Sequence, residues 1–283
     1  MLRMLYTSEN GTMEWTGQAG RNRIEAMTGF DLLTKSYSSI DLGPAGTRTE
    51  EGAPQPRAMT VKFELYHGGD LYSLQQKKAR MMHVLYRPGR LSLQRFHTKR
   101  CIDVQQVTVE PGDRNELWQD FVVQFTADSP FFHDEADREV PVYREEDHLS
   151  GAFQLPMVFT SRYNDCDVLV EGHEAVQPVF RLHGGEGAQG GSAGVRITNQ
   201  TTGGTVLIHH APQAGEVVTV DVAQGDLLST LDGDIIASLD LDSYLSELRL
   251  RPGHNRLVVE NYCTDDAFTA FCVFNNNYVE GCV

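Results

Sequence analysis

The chain has 283 residues, 40% hydrophobic and 22% charged, a composition that can bury a core and excludes wholesale disorder. Its 39 acidic residues against 24 basic ones leave a net charge of −15, which argues against general electrostatic wrapping of nucleic acid. No apolar run reaches the roughly 18–20 residues that cross a bilayer, and no long hydrophobic leader opens the chain, so the sequence reads as soluble with no membrane anchor.

Residues 1–140 carry 17 basic and 19 acidic side chains, and residues 141–283 carry 7 and 20, an asymmetry that fits two modules, 1–140 and 141–283. In the first, residues 59–66 (MTVKFELY) alternate with period two and read as a strand. Residues 70–86 differ: Leu71, Leu74, Met81, Met82 and Leu85 recur near helical spacing, Asp70 offers an N-cap, and Pro88-Gly89 a stop. One amphipathic helix is expected, its stripe packed on the core or shared with another subunit. Strands follow at 91–96, 102–109 and 118–125, with turns expected at Arg87–Arg90 and at Glu110–Asp113. The charged stretch 133–139 before Pro141 reads as a linker.

The second module shows denser strand signals at 176–182, 194–198, 205–209 and 216–222, with Pro178 at an edge or a strand start. Turn-bounded alternation of this kind predicts a β-sandwich. The run Gly184–Gly194 reads as a flexible hairpin loop, and it has neither the lysine nor the hydroxyl residue of a phosphate loop.

No catalytic, cofactor or metal constellation meets its spacing test. Asp226, Asp232, Asp234, Asp240 and Asp242 do not complete a calcium loop. Adjacent His209 and His210 point to opposite faces of a strand, and Cys263, Cys272 and Cys282 lack a close ligand pair. With Cys101 and Cys166 the cysteines number five, and reduced thiols are expected. There is no G-x-S-x-G elbow. The strongest basic cluster, Arg87, Arg90, Arg95, Lys99 and Arg100 beside Tyr86 and Phe96, suits intersubunit charge pairing or an exposed rim better than nucleic-acid contact.

Residues 121–133 (FVVQFTADSPFFH) resemble the strand and aspartate-proline-aromatic close of the distal tail proteins of long, flexible-tailed bacteriophages, with a serine added between acid and proline. Residues 195–208 (VRITNQTTGGTVLI), 214–221 (AGEVVTVD), 231–233 (LDG) and 248–255 (LRLRPGHN) follow in that family's order, and the likeness spans about residues 20–265. The 275–283 tail lies beyond it. The resemblance implies a mainly β protein: an N-terminal β-rich ring module with one helix, then a peripheral galectin-like or carbohydrate-module-like β-sandwich. It implies a non-enzymatic homohexameric ring at the distal end of the virion tail, soluble in the bacterial cytoplasm before assembly. The implied partners are the major tail-tube protein, the tail-associated hub or tape-measure complex, and receptor-binding or adhesion proteins, with DNA passing through the channel without sequence-specific binding. The helix stripe, Leu71, Leu74, Met81, Met82 and Leu85, and Arg87, Arg90, Arg95 and Arg100 become candidate interface or channel residues. The alternative is a phage-associated accessory protein that binds a host-wall polysaccharide.

Overall fold

A computed structural model describes residues 2–16, 22–31, 37–41, 47–51, 55–147, 160–186, 188–262 and 268–282. The chain divides into two compact units, Met1–Glu135 with Asn277–Val283, and Ala136–Asn276. The second is thus inserted into the first, and the closing residues, which the sequence division groups with the second module, belong to unit 1.

Unit 1 contains β1 (Leu2–Ser8), β2 (Gly11–Thr16), β3 (Arg23–Thr28), β4 (Tyr37–Asp41), β5 (Thr47–Glu51) and β6 (Arg57–Tyr66). The helix α1 (Leu71–Leu85) follows, then β7 (Gly89–Arg95), β8 (Thr98–Val104), β9 (Gln106–Arg114) and β10 (Trp118–Ala127). Eight strands form one sheet in the order β8-β7-β1-β2-β3-β6-β10-β9. Its two end strands are separated in sequence by Gln105 alone, whose N–H bonds the Thr126 carbonyl at 2.9 Å, so the sheet curls until its ends approach. Alternation fills the interior: Met59, Val61, Phe63 and Leu65 of β6 point inward, as do Phe121, Val123 and Phe125 of β10. Trp15 meets Phe63 and Phe125 edge-on at 5.6 and 6.1 Å.

The helix covers this core with Leu74, Met81, Val84 and Leu85. Asp70 caps it by accepting the Tyr72 N–H at 3.0 Å. Its last turn leaves carbonyls without helical partners, and the β1–β2 hairpin supplies them: Ser8 Oγ donates to Val84 O at 2.8 Å and Asn10 Nδ2 to His83 O at 2.7 Å. Leu71 and Met82, expected in the same stripe, are exposed, because Met82 is rotated about 100° from Met81 and Leu71 stands at the edge of the first turn.

Three local expectations are corrected. The 102–109 segment is two strands, because β8 pairs with β7 whereas β9 pairs with β10. Pro111 and Gly112 lie inside β9 at an irregular register, and the turn falls at Asn115, whose Oδ1 accepts the N–H groups of Leu117 and Trp118. The 133–139 stretch is not a free linker, since His133 exchanges backbone hydrogen bonds with Cys101 and Lys99 pairs with Glu135.

Unit 2 runs β11 (Arg138–Asp147), β12 (Thr160–Tyr163), β13 (Asp165–Val170), β14 (Val179–Gly184), β15 (Gln189–Gly191), β16 (Val195–Asn199) and β17 (Gly204–Ile208). It continues through β18 (Ala211–Gln213), β19 (Val217–Asp221), β20 (Asp226–Ser229), β21 (Gly233–Asp234), β22 (Gly253–Asn261) and β23 (Phe268–Phe274). One sheet has the order β12-β11-β23-β14-β19-β20-β21 and the other β13-β22-β16-β17. Phe180, Leu182, Val218, Val220 and Ala270 of the first share a core with Val168, Val170, Val195, Ile197, Val206, Leu257 and Val259 of the second, an arrangement consistent with a β-sandwich. Pro178 immediately precedes β14. The glycine-rich run is partly ordered: β15 pairs with β18, and a Cβ on Gly184 would lie 2.0 Å from the Gln213 carbonyl. Glycine serves close backbone approach there. Gly187 of that run lies outside the described residues.

Candidate assembly surface

The sequence of α1 contains no acidic residue. Its outward side presents Leu71, Tyr72, Gln75, Gln76, Ala79, Met82 and His83, continued by Tyr86, with Tyr72 68% and Tyr86 80% exposed. The candidate stripe therefore splits. Leu74, Met81 and Leu85 belong to the core of their own unit, whereas Leu71 and Met82 are open.

The basic cluster on β7 and β8 also splits, because its strands carry partners for it. Arg87 pairs with Glu9 at 3.0 Å and Arg90 with Asp103 at 2.8 Å. Burial pushes the Asp103 carboxyl up, but Arg90 and His133 outweigh it and hold the group below its ordinary value. Arg100 is held inside the unit: it donates to the Glu280 carbonyl at 2.7 Å and lies 4.1 Å over the Tyr278 ring. Arg95 stacks over Phe96 at 5.8 Å. Phe96 itself, at the turn between β7 and β8, has φ 56° and is 73% exposed. A bulky side chain in the left-handed region is strained, and at this exposure burial does not offset that strain. Nothing in the sequence pattern signals that backbone angle.

Arg57 is the residue that the sequence reading missed. Almost fully buried, it donates to the carbonyls of Gly29, Asp31 and Val279 and lies 4.9 Å from the Phe132 ring. Tyr278 and Phe132 exchange backbone hydrogen bonds, and Gly281 N–H donates to Phe30 O at 2.7 Å. Two arginines thus clamp the end of the chain onto unit 1. The β4–β5 hairpin, which carries no strong strand signal, pairs with no other strand among the described residues.

In unit 2 His209, His210, Asp234 and Asp240 are engaged in turns and cross-strand contacts, and His210, Glu216 and Asp232 bring ligand atoms within 4.8 Å of one another. His209 bonds Asp240 at 3.0 Å and His210 bonds Glu216 at 2.7 Å, in keeping with their opposite directions. Glu216 is buried and also accepts from Ser229 Oγ and Gln213 N–H. Burial raises its carboxyl, but these three bonds prevail and hold it below its ordinary value. Asp234 accepts the Ile236 N–H, and Asp240 that of Asp242, as turn-closing aspartates do. In unit 1, Glu25, Glu64 and Asp120 converge, but Lys62 supplies their countercharge at 2.7 Å from Glu25 and 3.3 Å from Asp120. Cys101, Cys166, Cys272 and Cys282 are free thiols, and burial pushes the Cys272 thiol up. Cys263 lies outside the described residues.

A curled sheet capped by a helix, with a second β-rich unit inserted in its chain, is a fold also seen among solved structures. It is similar to the crystal structure of the SPP1 Dit (gp 19.1) protein, described as a paradigm of the hub adsorption apparatus in phages infecting Gram-positive hosts, with a TM-score of 0.67 at 12% identity over 98% of this chain and 99% of that one. Two structures of the phage p2 baseplate in its activated conformation, with Ca and with Sr, align at TM-scores of 0.47 and 0.46 and 10% identity, each over 97% of this chain and 97% and 98% of theirs. No protein-family model and no curated protein matches the sequence significantly.

Proposed function

We propose that the chain is a distal tail protein of a long, flexible-tailed bacteriophage, that unit 1 builds a hexameric ring joining the tail tube to the adhesion apparatus, and that unit 2 is a peripheral galectin-like sandwich. The observation that carries this reading is the agreement of the whole chain, both units in order, with the SPP1 Dit fold. In this role the protein catalyses no bond-making step; it organises neighbours in the virion tail. The unpaired β4–β5 hairpin, the strained Phe96 turn and the open side of α1 are the surfaces that unit 1 offers for closing a ring. Leu71, Met82, Arg87, Arg90 and Arg95 remain as interface or channel candidates, each of them exposed.

Native mass spectrometry and negative-stain microscopy test the proposal, with and without tube and hub proteins. A closed hexamer with a central opening is the expected result. A monomer that persists with every partner present overturns it and directs attention to glycan binding by unit 2.

A further inference from the structure

Between α1 and the β1–β2 hairpin lies an open groove of about 650 Å³. Its floor is the edge of the unit's own core, Met13, Leu65, Met81 and Val84, none more than 9% exposed, with half-buried Leu5 beside them and Thr12, Thr16 and Asn22 completing the wall. Its rim carries Arg3, Lys77 and Arg80 against a single carboxylate, Glu14, which Arg3 already binds at 2.9 Å. Lys77 is oriented by donating to the Tyr66 carbonyl at 2.7 Å. Arg80 is exposed and makes no hydrogen bond or ion pair among the described residues. A cationic rim over an apolar floor is out of keeping with a chain of net charge −15, and a helix without acidic residues keeps it so.

We infer that this groove docks an acidic segment of another protein chain, seated by an apolar side chain on the floor and by carboxylates on Lys77 and Arg80. A groove of this volume holds a short peptide segment rather than a folded domain. Charge complementarity selects the occupant: a segment rich in lysine would meet three cations, and a wholly apolar one would leave Arg80 uncompensated. The inference goes beyond the ring proposal and does not depend on it.

The test is selection of a random peptide library, displayed on yeast, against the full-length protein. Recovered peptides are expected to combine Asp or Glu with Leu, Ile or Phe, and to lose affinity about 10-fold or more on Arg80→Glu, less on Arg80→Gln, with strong salt dependence. Circular dichroism of both variants guards against misfolding. Recovery of nothing, recovery without acidic bias, or equal binding to wild type and Arg80→Glu overturns the inference. A change of oligomeric mass on Arg80→Glu without any selected peptide also overturns it, in favour of a second copy of this chain. A ring that forms normally while no peptide binds removes this inference and leaves the ring proposal standing.

Discussion

The two units spend their polar residues differently. Unit 1 has 16 basic and 18 acidic residues, net −2, and buries an arginine to fasten together segments far apart in sequence. Unit 2 has 8 and 21, net −13, and buries a carboxylate and amides: Glu216 finds its partners within 13 positions, whereas Asn199 donates to the Arg249 carbonyl 50 positions away and Asn276 accepts the N–H groups of Glu171 and Gly172, 105 and 104 positions away. Both units thus tie distant segments with buried polar side chains, but unit 1 does so with a cation and unit 2 with amides. Unit 1 is also the one that carries the strained Phe96 turn.

Removing residues 277–283 should have the largest effect. Arg57 then loses one of its three carbonyls, Arg100 loses both the Glu280 carbonyl and the Tyr278 ring, and Phe132 loses its backbone partner. Buried donors left unmet and lost packing together cost about 4 kcal/mol or more. Differential scanning calorimetry should show the unit 1 transition collapsing while that of unit 2 holds. If both fall together, the two units are one cooperative body and the comparison breaks.

The clamp also shows why some of the fold was legible in the sequence and some was not. Strands at 59–66, 118–125, 194–198 and 216–222 could be read because each alternates apolar and polar residues between turn signals, and α1 because Asp70 and the 3.6-residue period coincide. Arg57 looked like any arginine, since its value depends on carbonyls 26, 28 and 222 positions away. Pro111-Gly112 misled because a proline on an edge strand leaves the same local signature as a turn. The Phe96 backbone angle and the β4–β5 pairing follow from chain path, which hydrophobic period does not encode.

Glu216→Ala tests the buried carboxylate of unit 2. It removes the acceptor of Ser229, His210 and the Gln213 N–H, and should destabilise unit 2 by about 3 kcal/mol without moving the unit 1 transition. Because the folded carboxyl sits below its ordinary value, it contributes stability above the unfolded pKa and loses that contribution as pH falls through the folded one. Wild-type unit 2 should therefore weaken more steeply in acid than the variant, as followed by thermal melts across that range.

Phe96→Gly should act with the opposite sign. Glycine enters the left-handed region without strain, so unit 1 should gain up to about 1 kcal/mol, offset in part by the entropy of the unfolded chain. Ring assembly, read by native mass spectrometry, should weaken at the same time. Stabilisation with undiminished assembly would remove Phe96 from the proposed interface.

The smallest effect on stability separates the units most cleanly in function. Arg90 pairs with Asp103 in unit 1 and Arg256 with Asp165 in unit 2, both through exposed side chains joining neighbouring strands. Exposed pairs are screened by solvent, and Arg90→Ala should cost at most about 1 kcal/mol. Arg256→Ala should leave the unit 2 melting transition essentially in place, because its side chain is more exposed still. If assembly belongs to unit 1, Arg90→Ala should raise the concentration needed for hexamers and make it more salt-sensitive, while Arg256→Ala should leave both unchanged. Equal effects of the two variants would mean that net charge, rather than a surface of unit 1, governs association.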